Sequence, residues 1–314
     1  MTGAAALRAT HARAALGVTV AAVAIATLLP APGAAAKAAV LAALVAVLGL
    51  PHGAVDHLEG QTLLAPRVGR AWWLVFGALY VAAATVVVAA WLLWPPGLLV
   101  GFLLLAAGHF GAEDVAADPA APRGPLRVLE AGLRGAIPVL GPVLFHPERT
   151  GELFAYLLPG SSAAGVQAVL VPLAWGAPVF AGALAAFAVI AWASGRRGTA
   201  VEVLALTVAV GVLPPLLAFV VYFCLWHAPR HTLTVAARLS PADARRGLIR
   251  FARAAWPLTL VTIAAGTLAW WGLTGAVNAV PAAIATVFVG LAALTVPHVV
   301  LAALHARSHI ATAT

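Results

Sequence analysis

The sequence predicts an all-α fold, a polytopic transmembrane helix bundle of eight to ten segments, some kinked or partly re-entrant. Three observations predict it. Of the 314 residues 63% are hydrophobic and only 9% are charged, where a soluble domain carries roughly a quarter charged residues. Too few polar side chains remain to cover a water-facing surface, so lipid must be the solvent for most of the chain. The apolar residues also fall in continuous runs, not in the alternation of a membrane barrel strand. The polar stretches between them, 58–71, 113–127, 146–165 and 238–254, are loop-sized. Residues 1–314 therefore read as a single integral membrane domain.

The first run, Ala14 to Leu29, follows Arg8 and Arg13 and precedes Pro30-Ala31-Pro32-Gly33. Its composition suits a secretory signal, but with so many later spans it is read as a retained first helix. Further apolar runs lie near 36–56, 72–94, 97–112, 128–145, 166–193, 200–231, 255–272 and 281–304. A helix needs about 20 apolar residues to cross the hydrocarbon core, so 97–112 and 128–145 are short. The latter holds Gly132, Gly135, Pro138, Gly141 and Pro142, which predicts a kink or a partly re-entrant path. Pro214-Pro215 should break or bend the span that leads to Trp226. The arginine clusters at 67–70, 123–127, 196–197 and 238–253 all favour the cytoplasmic side. Strict alternation of spans does not satisfy them all. The expected location is the cell (cytoplasmic) membrane, as a multi-pass protein.

The formal net charge of +8 has the same origin. Arginines sit in short clusters between apolar runs, where positive-inside topology and anionic headgroups account for them. No basic run is interleaved with stacking aromatics, so no nucleic-acid partner is expected. A single cysteine, Cys224, excludes an intramolecular disulfide and any multi-cysteine metal site.

Ten histidines stand in this apolar chain, and their spacing is informative. His52 and Asp56 are i, i+4 in PHGAVDH; His109 and Glu113 are i, i+4 in GHFGAED, with Asp114 next; His227 and His231 are i, i+4 in WHAPRH. That spacing puts each pair on one helix face, for His52 and Asp56 if the span continues through them, and lets two imidazoles of one helix reach a single ion. An ionised carboxylate in the hydrocarbon core costs about 2.5–3.5 kcal/mol on insertion scales, so it needs a cavity, a partner or a metal. Asp56, Glu113 and Asp114 are natural acceptors for the outer N–H of metal-bound imidazoles. His298, again after a proline, is placed near the site. His57 is a weaker candidate, about 140° round the helix from His52. A histidine at a span end is ordinarily a hydrogen-bonded interfacial residue, which suffices for His11, His146, His305 and His309. Arg230 should snorkel or pair with Asp56, Glu113 or Asp114.

Imidazoles without thiolates suit iron, copper, zinc or nickel, whereas magnesium and calcium want more oxygens. Four neutral histidines leave Fe(II) doubly charged with open positions, a state suited to dioxygen. Phe219, Phe223, His227 and His231 fall at steps of four along one ridge, with Tyr222, Trp226 and Phe110 close by in sequence to the histidines. Such a stripe is usually packing. If it lines a cavity, the substrate is long, flat and apolar and arrives from the bilayer. A desaturase or alkane-hydroxylase type of intramembrane oxygenase would carry paired HxxHH boxes, and none occurs. A metal or proton transporter should spread polar residues across the membrane depth, and here they cluster near span ends. A bis-histidine haem protein is disfavoured because the WHAPRH pair shares one helix.

GLPHGAVDH at 49–57, GHFGAED at 108–114, LWHAPRH at 225–231 and VPHVV at 296–300 resemble the Brp/Blh family of bacterial and archaeal membrane proteins. The resemblance runs from about residue 45 to 305, with four motifs in order. It implies a β-carotene 15,15'-dioxygenase that cleaves the central double bond with O2 to give two retinal molecules. It also implies a non-haem Fe(II) held by histidines from separate transmembrane helices, namely His52, His109 and the pair His227 and His231. Carotenoid, O2 and the lipid bilayer are the implied partners, and a retinal-binding rhodopsin is a candidate recipient of the product. Phe110, Phe219, Tyr222, Phe223 and Trp226 are the candidates for the substrate wall. One departure is Ala228, where the family pattern commonly has serine, which removes a hydroxyl beside the site.

Overall fold

The computed structural model describes residues 3–313, with side chains from 5 to 305, and is helical almost throughout. Helix α1 (Gly3–Leu28) is followed by α2 (Ala34–Leu44), a π-helical turn (Val45–Gly49), α3 (Leu50–Gly53), α4 (Asp56–Val68) and α5 (Trp72–Leu93). Then come α6 (Pro95–Ala116), α7 (Pro125–Phe145), α8 (Pro147–Leu157), α9 (Ala163–Leu170) and α10 (Ala177–Ala193). Last are α11 (Arg197–Val212), α12 (Pro215–Val220), a second π-helical turn (Val221–His227), α13 (Ala228–Leu239), α14 (Ala244–Thr274) and α15 (Ala279–Ala313). No strand occurs among the described residues. Prolines mark helix starts: Pro95, Pro125, Pro147 and Pro215 sit in the first turn, where the missing N–H has no intrahelical partner to lose.

Seven stretches among the described residues are long and apolar enough to cross a membrane. With the broken segments between them they make the multi-pass bundle that composition demands. Leu28, Leu93, Val81 and Val261 point outward, each more than half exposed; an all-round apolar surface of this kind belongs in lipid. Helix α1 packs against α11 and α13. It is pinned there by Trp226 Nε1–H donating to Thr19 Oγ1 (3.0 Å) and by a contact between His11 Nε2 and the Leu225 carbonyl (2.8 Å).

Two expectations about broken helices fare differently. At Pro214-Pro215 the span does break: α11 ends at Val212, Leu213 is extended, and α12 starts afresh. Helix α7, by contrast, runs unbroken for 21 residues through Pro138 and Pro142. It is not cut short into a re-entrant piece. Its glycines instead let it approach α6, because a Cβ on Gly111 would run into the Ala131 carbonyl and one on Gly135 into that of Ala107. Close packing of small residues is a usual way to join helices in lipid.

Candidate metal centre

Two of the histidines reach a common region through the two π-helical turns. The turn at Val45–Gly49 leads directly into Pro51 and His52, and the turn at Val221–His227 delivers His227. Such insertions change the phase of a helix and often sit at functional positions. The two turns meet at Gly49 and Phe223, where a Cβ on Gly49 would lie only 2.6 Å from Phe223 Cε1. Glycine is thus what lets the His52 segment lie against the His227 segment. Along the second turn Phe219, Phe223 and His227 stack face to face, with centroids 5.2 and 5.9 Å apart.

Five imidazoles converge: His52 (α3), His109 (α6), His227 (end of the π turn), His231 (α13) and His298 (α15). Their ring contacts close a circuit. His227 to His109 is 5.1 Å between centroids, His109 to His298 5.0 Å, His298 to His231 5.7 Å, His231 to His52 5.6 Å and His52 to His227 5.5 Å. All five contacts are edge-on. Nitrogens bound at about 2.0–2.1 Å to one ion would leave ring centroids roughly 5–6 Å apart. Among the described residues no group of three or more His, Cys, Asp or Glu side chains already stands in metal-binding geometry. The structure holds a cluster of rings in contact at a compatible spacing.

Hydrogen bonds fix which nitrogens face inward. His298 Nδ1 pairs with Asp56 Oδ1 at 2.8 Å, His231 Nδ1 with Glu113 Oε2 at 3.4 Å, and His52 Nδ1 with the Gly49 carbonyl. An N–H donated outward from Nδ1 leaves Nε2 as the lone-pair nitrogen. The Nε2 atoms of His227 and His298 are buried with no hydrogen-bond partner. Buried polar atoms are nearly always satisfied, so two orphans in one imidazole cluster fit an absent electrophile. The donor set, neutral imidazoles without thiolate, fits a divalent first-row metal.

The cluster opens on a cavity of about 560 Å3 lined by His52, His109, His227 and His298 together with Leu99, Phe102, Phe110, Leu216, Phe219, Phe223 and Phe288. Of the five aromatic residues proposed for its wall, Phe110, Phe219 and Phe223 line it. Tyr222 and Trp226 do not. Both point elsewhere: Tyr222 donates to Asp114 Oδ2 (2.9 Å), and Trp226 faces Thr19 and the Arg230 guanidinium, 4.9 Å from its ring. Asp114 likewise accepts from Tyr222 and Arg230 and from no imidazole. His57 borders the cavity with its Nδ1 on the Ala54 carbonyl (3.0 Å), outside the circuit of rings. His298 stands inside the circuit and not behind it.

Sequence spacing missed two features. One is Tyr80, whose hydroxyl donates to Asp56 Oδ2 (2.9 Å) and approaches the Leu294 carbonyl. The other is a row of alternating charges behind the histidines: Asp114–Arg230–Glu202–Arg134–Glu130–Arg196–Asp118. It ties α6, α7, α11 and α13 together, and a hydroxyl closes each end, Tyr222 on Asp114 and Thr199 on Asp118. The Glu130/Arg134 spacing of i, i+4 on α7 was the available signal.

Fold and site together define a multi-pass helical membrane protein built round a histidine-lined apolar cavity. Residues 43–305 match the family model of beta-carotene 15,15'-dioxygenase. The chain is 32% identical over 290 residues to a probable beta-carotene 15,15'-dioxygenase, Blh, of Halobacterium salinarum, covering 84% of this chain and 83% of that one. It is 30% identical over 270 residues to a beta-carotene 15,15'-dioxygenase from an uncultured marine bacterium, covering 85% and 93%. No solved structure matches it. The chain belongs to the beta-carotene 15,15'-dioxygenase family, and is an oxidoreductase of the dioxygenase class.

Proposed function

We propose that this chain, as one domain of the cytoplasmic membrane, cleaves β-carotene at its central double bond and releases two retinal molecules. One observation carries the reading: five imidazoles meet in one cluster, and four of them, His52, His109, His227 and His298, line a largely apolar cavity, in a member of this family. His52, His109, His227 and His231 would hold Fe(II), which supplies dioxygen binding at a redox-active centre when present. In the overall change the C15=C15' bond breaks, two C=O bonds form, and both oxygen atoms of O2 end in the aldehydes. No external reductant is needed.

The protein's own part is placement and exclusion. Phe219 and Phe223, stacked on His227, offer a flat wall along which a polyene lies against the imidazoles. Their π faces favour positive charge developing on the polyene. Gly49 keeps that wall against His52. Apolar side chains round the cavity keep water from the reacting carbons. Glu113 on His231 and the Gly49 carbonyl on His52 hold the ring tautomers that turn Nε2 inward. The hydrophobic product would leave to the bilayer or to a retinal-binding rhodopsin.

Expression in cells that accumulate β-carotene tests this. Colour should fade and retinal should appear by chromatography. Absence of retinal from folded, iron-loaded protein sinks the assignment.

A further inference from the structure

We propose that His298 is a fifth imidazole donor to the metal, oriented by Asp56 and Tyr80. The inference rests on the iron reading above and extends its ligand set.

The circuit of rings carries it. His109 touches only His227 and His298 among the five imidazoles, at 5.1 and 5.0 Å. His231 touches only His52 and His298, at 5.6 and 5.7 Å. His298 also lies 5.7 Å from His52. Without His298 the side of the cluster between His109 and His231 is open, and the four remaining rings form a chain instead of an enclosure. A side chain that lay behind the ligands would touch one of them from outside. His298 touches three.

Its nitrogens are differentiated as a ligand's are. Nδ1 is bound to Asp56 Oδ1 at 2.8 Å, in a pair that is buried on both sides. The other oxygen of Asp56 accepts from Tyr80 at 2.9 Å, which holds the carboxylate in place. Nε2 is buried with no partner. A carboxylate on the outer nitrogen of a ligating imidazole fixes the ring and raises its basicity. His298 has that arrangement at shorter distance than His231, whose carboxylate contact is 3.4 Å. Pro297 lies inside α15 just before it and has no backbone N–H, so the helical hydrogen bond to the Ala293 carbonyl is missing one residue before the imidazole.

Fe(II) affinity, read by anaerobic chelator competition on the purified full-length chain in detergent, tests the inference. His298→Ala should weaken Fe(II) binding more than 10-fold, and millimolar free imidazole should restore most of the loss. Asp56→Asn should weaken it about 10–100-fold, as removal of such orienting partners does. Because Asp56 acts through His298, adding D56N to H298A should cost nothing more, a coupling that general structural damage would not produce. Tyr80→Phe, which removes one hydroxyl, should lower affinity in the same His298-dependent way and serves if H298A does not fold. Wild-type affinity in H298A, or an undiminished effect of D56N in its background, overturns the role of His298 and leaves the four-histidine site standing. If the wild-type chain takes up no Fe(II), the iron reading itself fails.

Discussion

The histidine circuit and the charge row behind it are both buried polar structures, but they are satisfied in opposite ways. In the row, three arginines and four carboxylates alternate, and each guanidinium bonds two carboxylates. Nothing there waits for a ligand. In the circuit, five rings crowd together with no hydrogen bond between them, and two Nε2 atoms have no partner at all. A self-satisfied network stabilises one arrangement of helices, while an unsatisfied one points to something the protein must still bind. The two are joined through α13, where Arg230 lies between His227 and His231 in sequence. The row thus anchors the segment, the end of the second π turn and the start of α13, that carries half of the expected ligand set.

The sharpest break in this comparison is catalytic. His227→Ala should abolish retinal formation while leaving membrane insertion intact, because it removes a ring whose Nε2 stabilises nothing within the protein; retained cleavage would remove His227 from the ligand set. In the row the largest effect should fall on stability. Glu202→Gln strips charge from the acid shared by Arg230 and Arg134, and unpairing a buried charge costs about 3–5 kcal/mol. Thermal unfolding in detergent measures it, and a loss well under 1 kcal/mol would show the row to be solvated.

Trp226→Phe comes next. It deletes the hydrogen bond to Thr19, worth about 1 kcal/mol, without touching the cavity. Stability should fall by that order while KM for carotenoid stays put; a raised KM would return Trp226 to the substrate wall. The smallest effect is at the end of the row. Burial of Asp118 favours its neutral form, but hydrogen bonds from Arg196 and Thr199 outweigh it and hold the carboxyl below the ordinary range. A depressed carboxylate contributes stability above its unfolded value of about 3.9 and loses it as pH falls through the lower folded one. Asp118→Asn should therefore flatten the acid limb of the melting temperature below about pH 4, and an unchanged limb would assign that sensitivity elsewhere.

The aromatic ridge shows where the sequence stops being legible. A regular helix puts Phe219, Phe223 and His227 on one ridge, and they do stack. Tyr222 and Trp226 stand one position before Phe223 and His227, about 100° round a regular helix, and only nearness in sequence groups them with the ridge. Which neighbouring ridge faces the cavity is set by packing, and a run this apolar carries no polar face to mark it. The prolines at 214 and 215 were legible because they act on their own backbone. The prolines in α7 left that helix continuous, closely packed on α6.

What the sequence by itself determined is the solvent and the local chemistry. Composition forced helices into lipid. His109 and Glu113, four apart on unbroken α6, had to share a face, whereas the break between α3 and α4 separates His52 from Asp56. The tertiary structure decided which of those faces meet. It brought His298 into the circuit from 242 residues beyond Asp56, and gave Asp114 to an arginine instead of an imidazole. It also paired Glu202 with two cations from other helices. Spacing along a helix is a local quantity, whereas a buried polar atom's partner is set by how whole helices pack. That packing leaves no periodic trace in the chain.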